Sequence, residues 1–417
     1  MKILWVKPGK LLPLDTGGKL RTYNILRHLS TSHDVTYLSY YFGDRDQAYE
    51  HSVLEHLPGT VTVHAAASDA KGPKRYLDYA RHLLDFTPYS VSKFATSRVR
   101  GILADWISRR HFDVAVCDFL ASTPNFPRGL ATPTVLFEHN VESQLWRRRS
   151  RFESKWLDRL TAKIEYAKMS RYEPAQSRRF HHILAVSEQD AHALSEMVDP
   201  ARITVIPTGV DLATFRYDPQ VHPQASLVVF TGSMDWAPNI DGVEYFCHEI
   251  WPRVLARIPQ ARFRIVGRDP DIRVQRLASA SVEVTGTVSS IVEHLREAAV
   301  LVVPLRIGGG TRIKIYEGMA MGKATVSTPV GAEGLDVRHG RDILLASDPH
   351  RFAEHVSSFL QDENLRRKFE SAAAESVQKY DWSVITQYLV DALRKTVGTA
   401  SLDGAVSEQI SAIETSA

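Results

Sequence analysis

Short apolar, β-branched runs alternate with longer stretches of helical period along most of the chain. In the first half the runs are Ile3–Val6, Val35–Tyr40, Val61–Ala65, Val114–Cys117, Thr134–Glu138 and Ile183–Ser187. In the second half they are Leu227–Thr231, Phe263–Val266, Val282–Thr285, Val300–Pro304, Ala324–Ser327 and Ile343–Ala346. Most are continuous apolar blocks, which is how strands buried on both faces read. Strand and helix in alternation predict parallel sheets covered by helices on both faces. Some twelve strands are too many for an ordinary single sheet, so two sheets of about six predict an α/β protein of two doubly wound domains.

The seam between the two sets falls at Asp211–Ser226. Its centre, LATFRYDPQVHPQ, has two prolines, mixed charge and no period, which is the chemistry of a linker. The first domain is therefore expected at residues 1–210 and the second at 222–380. Residues 381–395 are amphipathic at helical spacing through Val384, Tyr388, Leu389 and Leu393, and can pack back on the first domain. The tail 396–417 is small and polar and is expected to be mobile. Doubly wound sheets bind ligands outside the carboxyl ends of their strands. Two such domains facing across a cleft would put the chemistry on the loops that follow strands.

Composition narrows the class. The chain has 417 residues, 44% hydrophobic and 24% charged, an ordinary globular balance. Lys and Arg total 51 against 48 Asp and Glu, and a net charge of +3 is too even for a dedicated nucleic-acid binder. The two cysteines, Cys117 and Cys247, can build neither a disulfide framework nor a four-thiolate zinc site. No apolar run reaches the ~18 residues of a membrane span, and MKILWVKPGK lacks the apolar core of a secretory leader. A soluble protein of the cytoplasm is expected, able at most to rest on the inner face of a membrane.

The strongest chemical signal is Leu301–Gly334, LVVPLRIGGGTRIKIYEGMAMGKATVSTPVGAEG. A strand ends at Pro304–Leu305, the turn Gly308-Gly309-Gly310 follows, and Thr311 is placed as the N-cap of a helix to about Met321, closed by Gly322. Free amides and the positive end of a helix make an anion site. Arg312 and Lys314 in the first turn can neutralise a diphosphate, and Glu317, one turn on, can accept from ribose hydroxyls. The plain alternative is a tight turn with solvated basic residues. In the first domain Asp15-Thr16-Gly17-Gly18 follows the first strand. It is neither a GxGxxG nor a Walker loop, and paired glycines are often only turns. His139, in FEHNVE at a strand's carboxyl end, is well placed for ligand, although a lone histidine is more often structural. Glu138 and Asn140 flank it, and Ser187-Glu188 ends another strand of the same domain. The pairs Asp44/Asp46 and Asp269/Asp271 have D-x-D spacing, each beside an arginine, and are taken as solvated loops; no H-x-x-x-H or CxxC metal signature is present.

The stretch Leu301–Gly334 resembles the donor-sugar signature of the retaining family 4 glycosyltransferases, which have the GT-B fold of two Rossmann-like domains. Further matches span most of residues 1–380. Ile206–Asp211 (IPTGVD) with Phe215 is similar to the family's interdomain segment, with Thr208 in place of the usual Asn. Phe230–Asn239 (FTGSMDWAPN) is similar to the opening strand and loop of the donor domain. The resemblance implies transfer of a sugar from a nucleotide-diphosphate sugar to an acceptor hydroxyl with retained configuration, without a metal or other cofactor. The departing phosphate would take the acceptor's proton. It implies catalytic roles for His139, Arg312, Lys314 and Glu317. Donor contacts fall to Gly17, Gly18, Gly232, Asn239, Thr287, Val288, Gly309, Gly310 and Thr311, with the base against Thr285–Val288 (TGTV). Bacterial exopolysaccharide or cell-surface glycan assembly is the family-level expectation. Gly309 stands where the family often has a further glutamate, so that sugar contact passes to backbone amides or is absent. The family's usual Arg and Lys after the donor domain's first strand are also missing, and Arg312 and Lys314 are the candidates to compensate.

Between Val141 and Arg179 eleven Lys and Arg face five Asp and Glu, with RRRSR at Arg147–Arg151 and Trp146, Trp156 and Leu157 interleaved. The run fits a solvated face, an acceptor phosphate site or an anionic membrane surface. A glycan or lipid-linked acceptor, and no nucleic acid, are the implied partners. Two rivals share the scaffold: a nucleotide-sugar epimerase or hydrolase, and a sugar-nucleotide-binding protein without turnover.

Overall fold

A computed structural model describes residues 1–65, 79–109, 112–153, 155–308 and 312–414. The chain divides into two compact units, Met1–Pro207 with Thr386–Ala417, and Thr208–Ile385. In the first, the described strands are β1 (Lys2–Pro8), β2 (Asp34–Tyr41), β3 (Thr60–His64), β4 (Val114–Asp118), β5 (Thr134–Phe137), β6 (His182–Ala185) and β7 (Ile203–Val205). They form one parallel sheet in the order β3-β2-β1-β4-β5-β6-β7. The order reverses between β1 and β4, where Ile3 pairs with both Val35 and Val114. Ile3, Leu4, Trp5 and Val6 are fully buried, as a strand covered on both faces must be. Leu4, Val6, Leu38, Ala115, Leu136 and Ile183 share one core with Val99 and Leu103 of the helix Ser97–Arg109.

The helix Trp156–Ser177 ties two others down from a distance. Its Glu165 accepts from the amides of Tyr89 and Ser90, and its Glu173 from those of Glu142 and Ser143. These are the first turns of the helices Tyr89–Ser92 and Glu142–Phe152, whose N-caps Pro88 and Val141 make no side-chain hydrogen bond. Eight residues is close to two whole turns, so both carboxylates lie near one face and cap their neighbours.

The second unit carries β8 (Gln224–Thr231), β9 (Arg262–Val266), β10 (Val282–Val284), β11 (Ala298–Val303), β12 (Ala324–Ser327) and β13 (Leu344–Leu345), ordered β10-β9-β8-β11-β12-β13. All its described pairings are parallel, and its reversal lies between β8 and β11, with Val228 opposite Val300. Phe230, Phe246, Phe263 and Phe352 are fully buried around β8 and β9.

Each expected run contains a strand, with ends shifted by a few residues. Strand β7 is an addition: three partly exposed residues on a sheet edge leave too short an apolar signature to read. The unit boundary lies at Pro207, before the expected linker. Val210 is held to residues 380–382: its amide donates to the Tyr380 carbonyl, its carbonyl accepts from the Trp382 amide, and the Trp382 ring fills the space beside Gly209. The expected linker is itself seated on the second unit, because the Tyr217 ring occupies the place of a Cβ on Gly322. The tail expected to be mobile is helical as far as Glu414, in a helix that starts at Trp382. Both aspartates that close the D-x-D pairs are N-caps: Asp46 accepts from the Tyr49 amide and Asp271 from that of Arg273. Among the described residues no helix is long and apolar enough to cross a membrane.

Candidate active site

Both sheets gather their unusual polar residues at the point where strand order reverses, the place where such sheets bind ligands. In the second unit two loops flank that point. One follows β8 through Gly232 into the helix Ala237–Tyr245, and the other follows β11 to the helix Ile313–Ala320. Lys314 Nζ donates to Asn239 Oδ1 at 3.0 Å, and Asn239 Nδ2 donates to the Ser233 carbonyl at 2.8 Å. A Cβ on Gly232 would lie 2.6 Å from Lys314 Nζ and 2.7 Å from Asn239 Nδ2, so only glycine fits there. The ammonium also sits 4.1 Å above the Phe230 ring, and Arg312 lies 5.7 Å from the Trp236 ring. Gly232, Asn239, Arg312 and Lys314, read from separate motifs, thus meet in one place.

The helix start differs from the expectation. Its N-cap is Arg312 rather than Thr311, and no side chain bonds the cap. Gly309, Gly310 and Thr311 lie outside the described residues. Thr287 is exposed and Val288 partly so, on the loop that leaves the edge strand β10. Lys314 and Glu317 are both partly buried. Burial, helped by the charge of Arg312, lowers the Lys314 ammonium to about 7 against the pull of Glu317. Burial raises the Glu317 carboxyl to about 7 against that of Lys314. The two groups change charge near neutral pH and oppose each other's shift.

In the first unit the sequence pointed to His139 and the glycine pair; it did not point to what holds them. Asp118, the last residue of β4, is fully buried. It accepts from His139 Nε2 at 2.6 Å, Thr22 Oγ1 at 2.7 Å and Trp5 Nε1 at 3.0 Å, and pairs with Lys7 Nζ at 3.4 Å. Arg21 Nη1 lies 3.3 Å from His139 Nδ1. A guanidinium can only donate, so Nδ1 accepts and Nε2 carries the proton given to Asp118. Both ring nitrogens are therefore engaged inside the unit, and His139 is 4% exposed. Burial lowers its pKa to about 4 despite Asp118. Burial would raise the Asp118 carboxyl, but Lys7 and His139 overcome it and hold it well below the usual carboxylate range.

The neighbouring backbone is strained. Phe119 has φ 74°, a region that disfavours side chains, and its ring stacks on His139 at 3.8 Å. Gly18 closes the group: a Cβ there would lie 2.8 Å from the Phe119 ring and 3.7 Å from His139 Nδ1. Gly17 is exposed at the start of the helix Gly17–Leu29. A cavity of about 400 Å³ opens beside this cluster, lined by Lys7, Lys10 and Lys19 and by Val91, Phe94 and Phe119, with Lys7 Nζ 3.8 Å over the Phe119 ring. Asn140 and Glu188 carry no feature that singles them out. Ser187 caps its own helix through the Asp190 amide, and Glu138 is buried with its carboxyl pushed well up by burial and by Glu173.

One surface of the first unit is unlike the rest. Leu84 and Phe86 are 94% and 97% exposed, on a segment bonded along the helix Trp156–Ser177 through Tyr79, Lys168 and Glu165. That helix exposes Trp156, Leu157 and Leu160 in its first turns, among Lys155, Arg159 and Lys163.

Residues 16–214 match the family model described as Glycosyltransferase Family 4, and residues 225–362 the model described as Glycosyl transferases group 1. An uncharacterized 44.6 kDa protein in the cps region of Klebsiella pneumoniae is 22% identical over 371 residues, 86% of this chain and 90% of that one. The phosphatidyl-myo-inositol mannosyltransferase of Mycolicibacterium smegmatis is 28% identical over 213 residues, 48% of this chain and about half (54%) of that protein. Among solved structures, Anabaena Alr3699/HepE in complex with UDP and glucose superposes with a TM-score of 0.64 at 15% identity, covering 94% of this chain and 99% of that one.

Proposed function

This chain belongs to the family 4 glycosyltransferases of GT-B fold, and from that premise we propose that it transfers a hexosyl group from a nucleotide-diphosphate sugar to an acceptor hydroxyl with retained configuration. The bond from the anomeric carbon to the phosphate oxygen breaks as the bond to the acceptor oxygen forms. The acceptor's proton passes to the departing phosphate on the same face. The observation that carries the reading is the meeting of Lys314, Asn239, Gly232 and Arg312 at the reversal point of the second sheet. Negative charge grows on the leaving diphosphate, and cations fixed at that point stabilise it without reorganising. A UDP-bound fold neighbour supports a nucleotide-linked donor. No metal is assigned a role in this reading; Arg312, Lys314 and the helix start carry the charge.

Glu317 is assigned to the ribose hydroxyls. His139, with both nitrogens engaged, is assigned to holding the Gly18–Phe119 wall rather than to touching the sugar. A panel of nucleotide sugars read by mass-detected binding and slow hydrolysis tests the donor. One nucleotide sugar is expected to bind, and Glu317→Ala to abolish both signals. Normal binding and turnover in that variant would remove the ribose assignment. A donor bound tightly but never turned over, with or without acceptor, would favour the non-catalytic rival.

The acceptor is assigned to the first unit, whose lysine-lined cavity suits a phosphate-linked glycan or lipid. A relative named for a phosphatidyl acceptor, and one from a cps region, support surface-glycan assembly on a membrane-borne acceptor. The exposed Leu84, Phe86, Trp156 and Leu157 among basic residues suit the face of an anionic bilayer. Flotation with phosphatidylglycerol vesicles is expected to carry the protein upward at low salt and less so at high salt. Leu84→Glu with Phe86→Glu is expected to weaken that binding by about ten-fold or more, since each loses an inserted apolar side chain. Equal flotation of this variant and the wild type would exclude the turn from the contact.

A further inference from the structure

The second unit holds a larger cavity that the proposed reaction does not use. It encloses about 800 Å³, within the range of small-molecule sites. Its wall presents Arg216, Arg296, Lys323, Arg366 and Arg367 against two acids, Asp218 and Glu370. It lies at the other end of the helix Ile313–Ala320 from Arg312, where Met321, Gly322 and Lys323 leave that helix.

Two of its cations are buried, Lys323 and Arg366 at 5% exposure each. Lys323 Nζ donates to the carbonyls of Arg296 and Ala298 at 2.9 and 3.1 Å, at the carboxyl end of the helix Ile291–Glu297. An ammonium has three protons, so one remains for a ligand. Among the described residues no carboxylate lies within 4 Å of Lys323, Arg216 or Arg296. The acids present are partly committed: Glu370 pairs with Arg366 at 3.2 Å, and Glu363 outside the wall takes Arg367 at 2.7 Å. The opposite wall is built. Tyr217, on the segment the sequence presents as a linker, is locked against Gly322, which has φ 63° and no Cβ to clash with the ring.

We propose that this cavity is a second anion site, taking a small compound that bears a phosphate or diphosphate group. Arginines offer planar pairs of donors that match phosphate oxygens, and among the described residues Arg216 and Arg296 make no ion pair that would compete. Lys323, buried in the wall and held by two carbonyls, adds an ammonium that an anion would stabilise, burial lowering it to about 8 in the free protein. The site stands apart from the donor loop, so it does not rest on the donor assignment.

Calorimetric titration of the whole chain with inorganic pyrophosphate at physiological salt tests it. Binding is expected at the donor loop and here, alongside any at the lysine-lined cavity of the first unit. Arg216→Ala with Arg296→Ala should weaken binding here by about ten- to a hundred-fold and spare the donor loop. Lys314→Met should do the reverse. Both arginines are exposed, so the double variant is expected to fold. Pyrophosphate should slow amide hydrogen exchange across residues 212–223 in the wild type and not in the variant. Arg147→Ala with Arg151→Ala removes the same charge from the first unit and should leave the donor-loop site and this one intact. Vesicle flotation of the Arg216/Arg296 variant separates the sources of phosphate: unchanged flotation assigns the site to a free compound, and lost flotation to a lipid headgroup. Identical pyrophosphate titrations for the two double variants would overturn the site.

Discussion

Replacing Lys314 by methionine is expected to lower nucleotide-sugar turnover by roughly a hundred- to a thousand-fold, the range found when one fixed electrostatic partner of a developing charge is removed. Affinity for the free nucleoside diphosphate should fall as well, because in the proposed assignment the ammonium faces the diphosphate before and after transfer. Folding should not suffer. Lys314 lies over the Phe230 ring and burial already pulls its proton off near pH 7, so an apolar side chain of similar length suits the place. A variant that melts at or above the wild-type temperature yet turns over slowly separates chemistry from stability.

The same residue fixes the sign of the pH dependence. A diphosphate favours the charged ammonium, which in the free protein is half lost near pH 7. Above that pH, binding must draw a proton onto Lys314, so affinity for UDP should fall as pH rises. Glu317 works in the opposite direction. Its carboxyl is held up to about 7, and an ionised form that accepts from ribose hydroxyls releases a proton on binding below that pH. Calorimetry in buffers of different ionisation enthalpy reads the two separately. Uptake at pH 8 should vanish in Lys314→Met, and release at pH 6 should vanish in Glu317→Gln. Undiminished uptake in the Lys314 variant would place the diphosphate elsewhere.

The sheets were legible because parallel strands carry their burial in their own residues: Ile3–Val6 or Val300–Val303 can only be interior. The residues proposed for the donor side stood out because glycine, lysine and a helix start follow a strand within a few positions. What stayed hidden depends on pairs distant in sequence. Asp118 reads as the polar end of VAVCD, and nothing local says that Lys7, Thr22, Trp5 and His139 converge on it. A carboxylate closing an otherwise apolar strand at a carboxyl end is the one faint sign. Glu165 and Glu173 read as ordinary polar positions of a basic helix, yet each caps a helix whose own N-cap has no side-chain bond. The segment after Asp211 has linker composition, and its docking depends on an absent Cβ at Gly322, more than a hundred positions away.

The largest effect on folding is expected at Asp118. Asn keeps the size of Asp118, but its single oxygen can accept from His139 or from Thr22 and not from both, because the two donate to different carboxylate oxygens, and it removes the charge that faces buried Lys7. Breaking one side of a buried pair typically costs about 3–5 kcal/mol, because the remaining charge is left uncompensated. Asp118→Asn should therefore unfold at markedly lower denaturant at pH 7, and the Trp5 fluorescence should report it, since the indole donates to the same carboxylate. The pH profile carries the sign. Burial already lowers the Lys7 ammonium, and without Asp118 it falls further. Between that depressed value and the unfolded one the unfolded chain holds more protons, so the variant should regain stability as pH rises. The wild type should instead lose stability in acid. His139 is neutral when folded down to about pH 4, so protonation favours the unfolded chain from about 6.5 downward. Asp118, depressed by Lys7 and His139, adds to the loss below its ordinary range. Lys7→Met in the Asp118→Asn background removes the orphaned charge, so the double variant should be more stable than Asp118→Asn alone. Simple addition of the two single effects would mean that Lys7 and Asp118 do not act as a pair, and that the wall carrying Phe119 and Gly18 is held by packing rather than by charge.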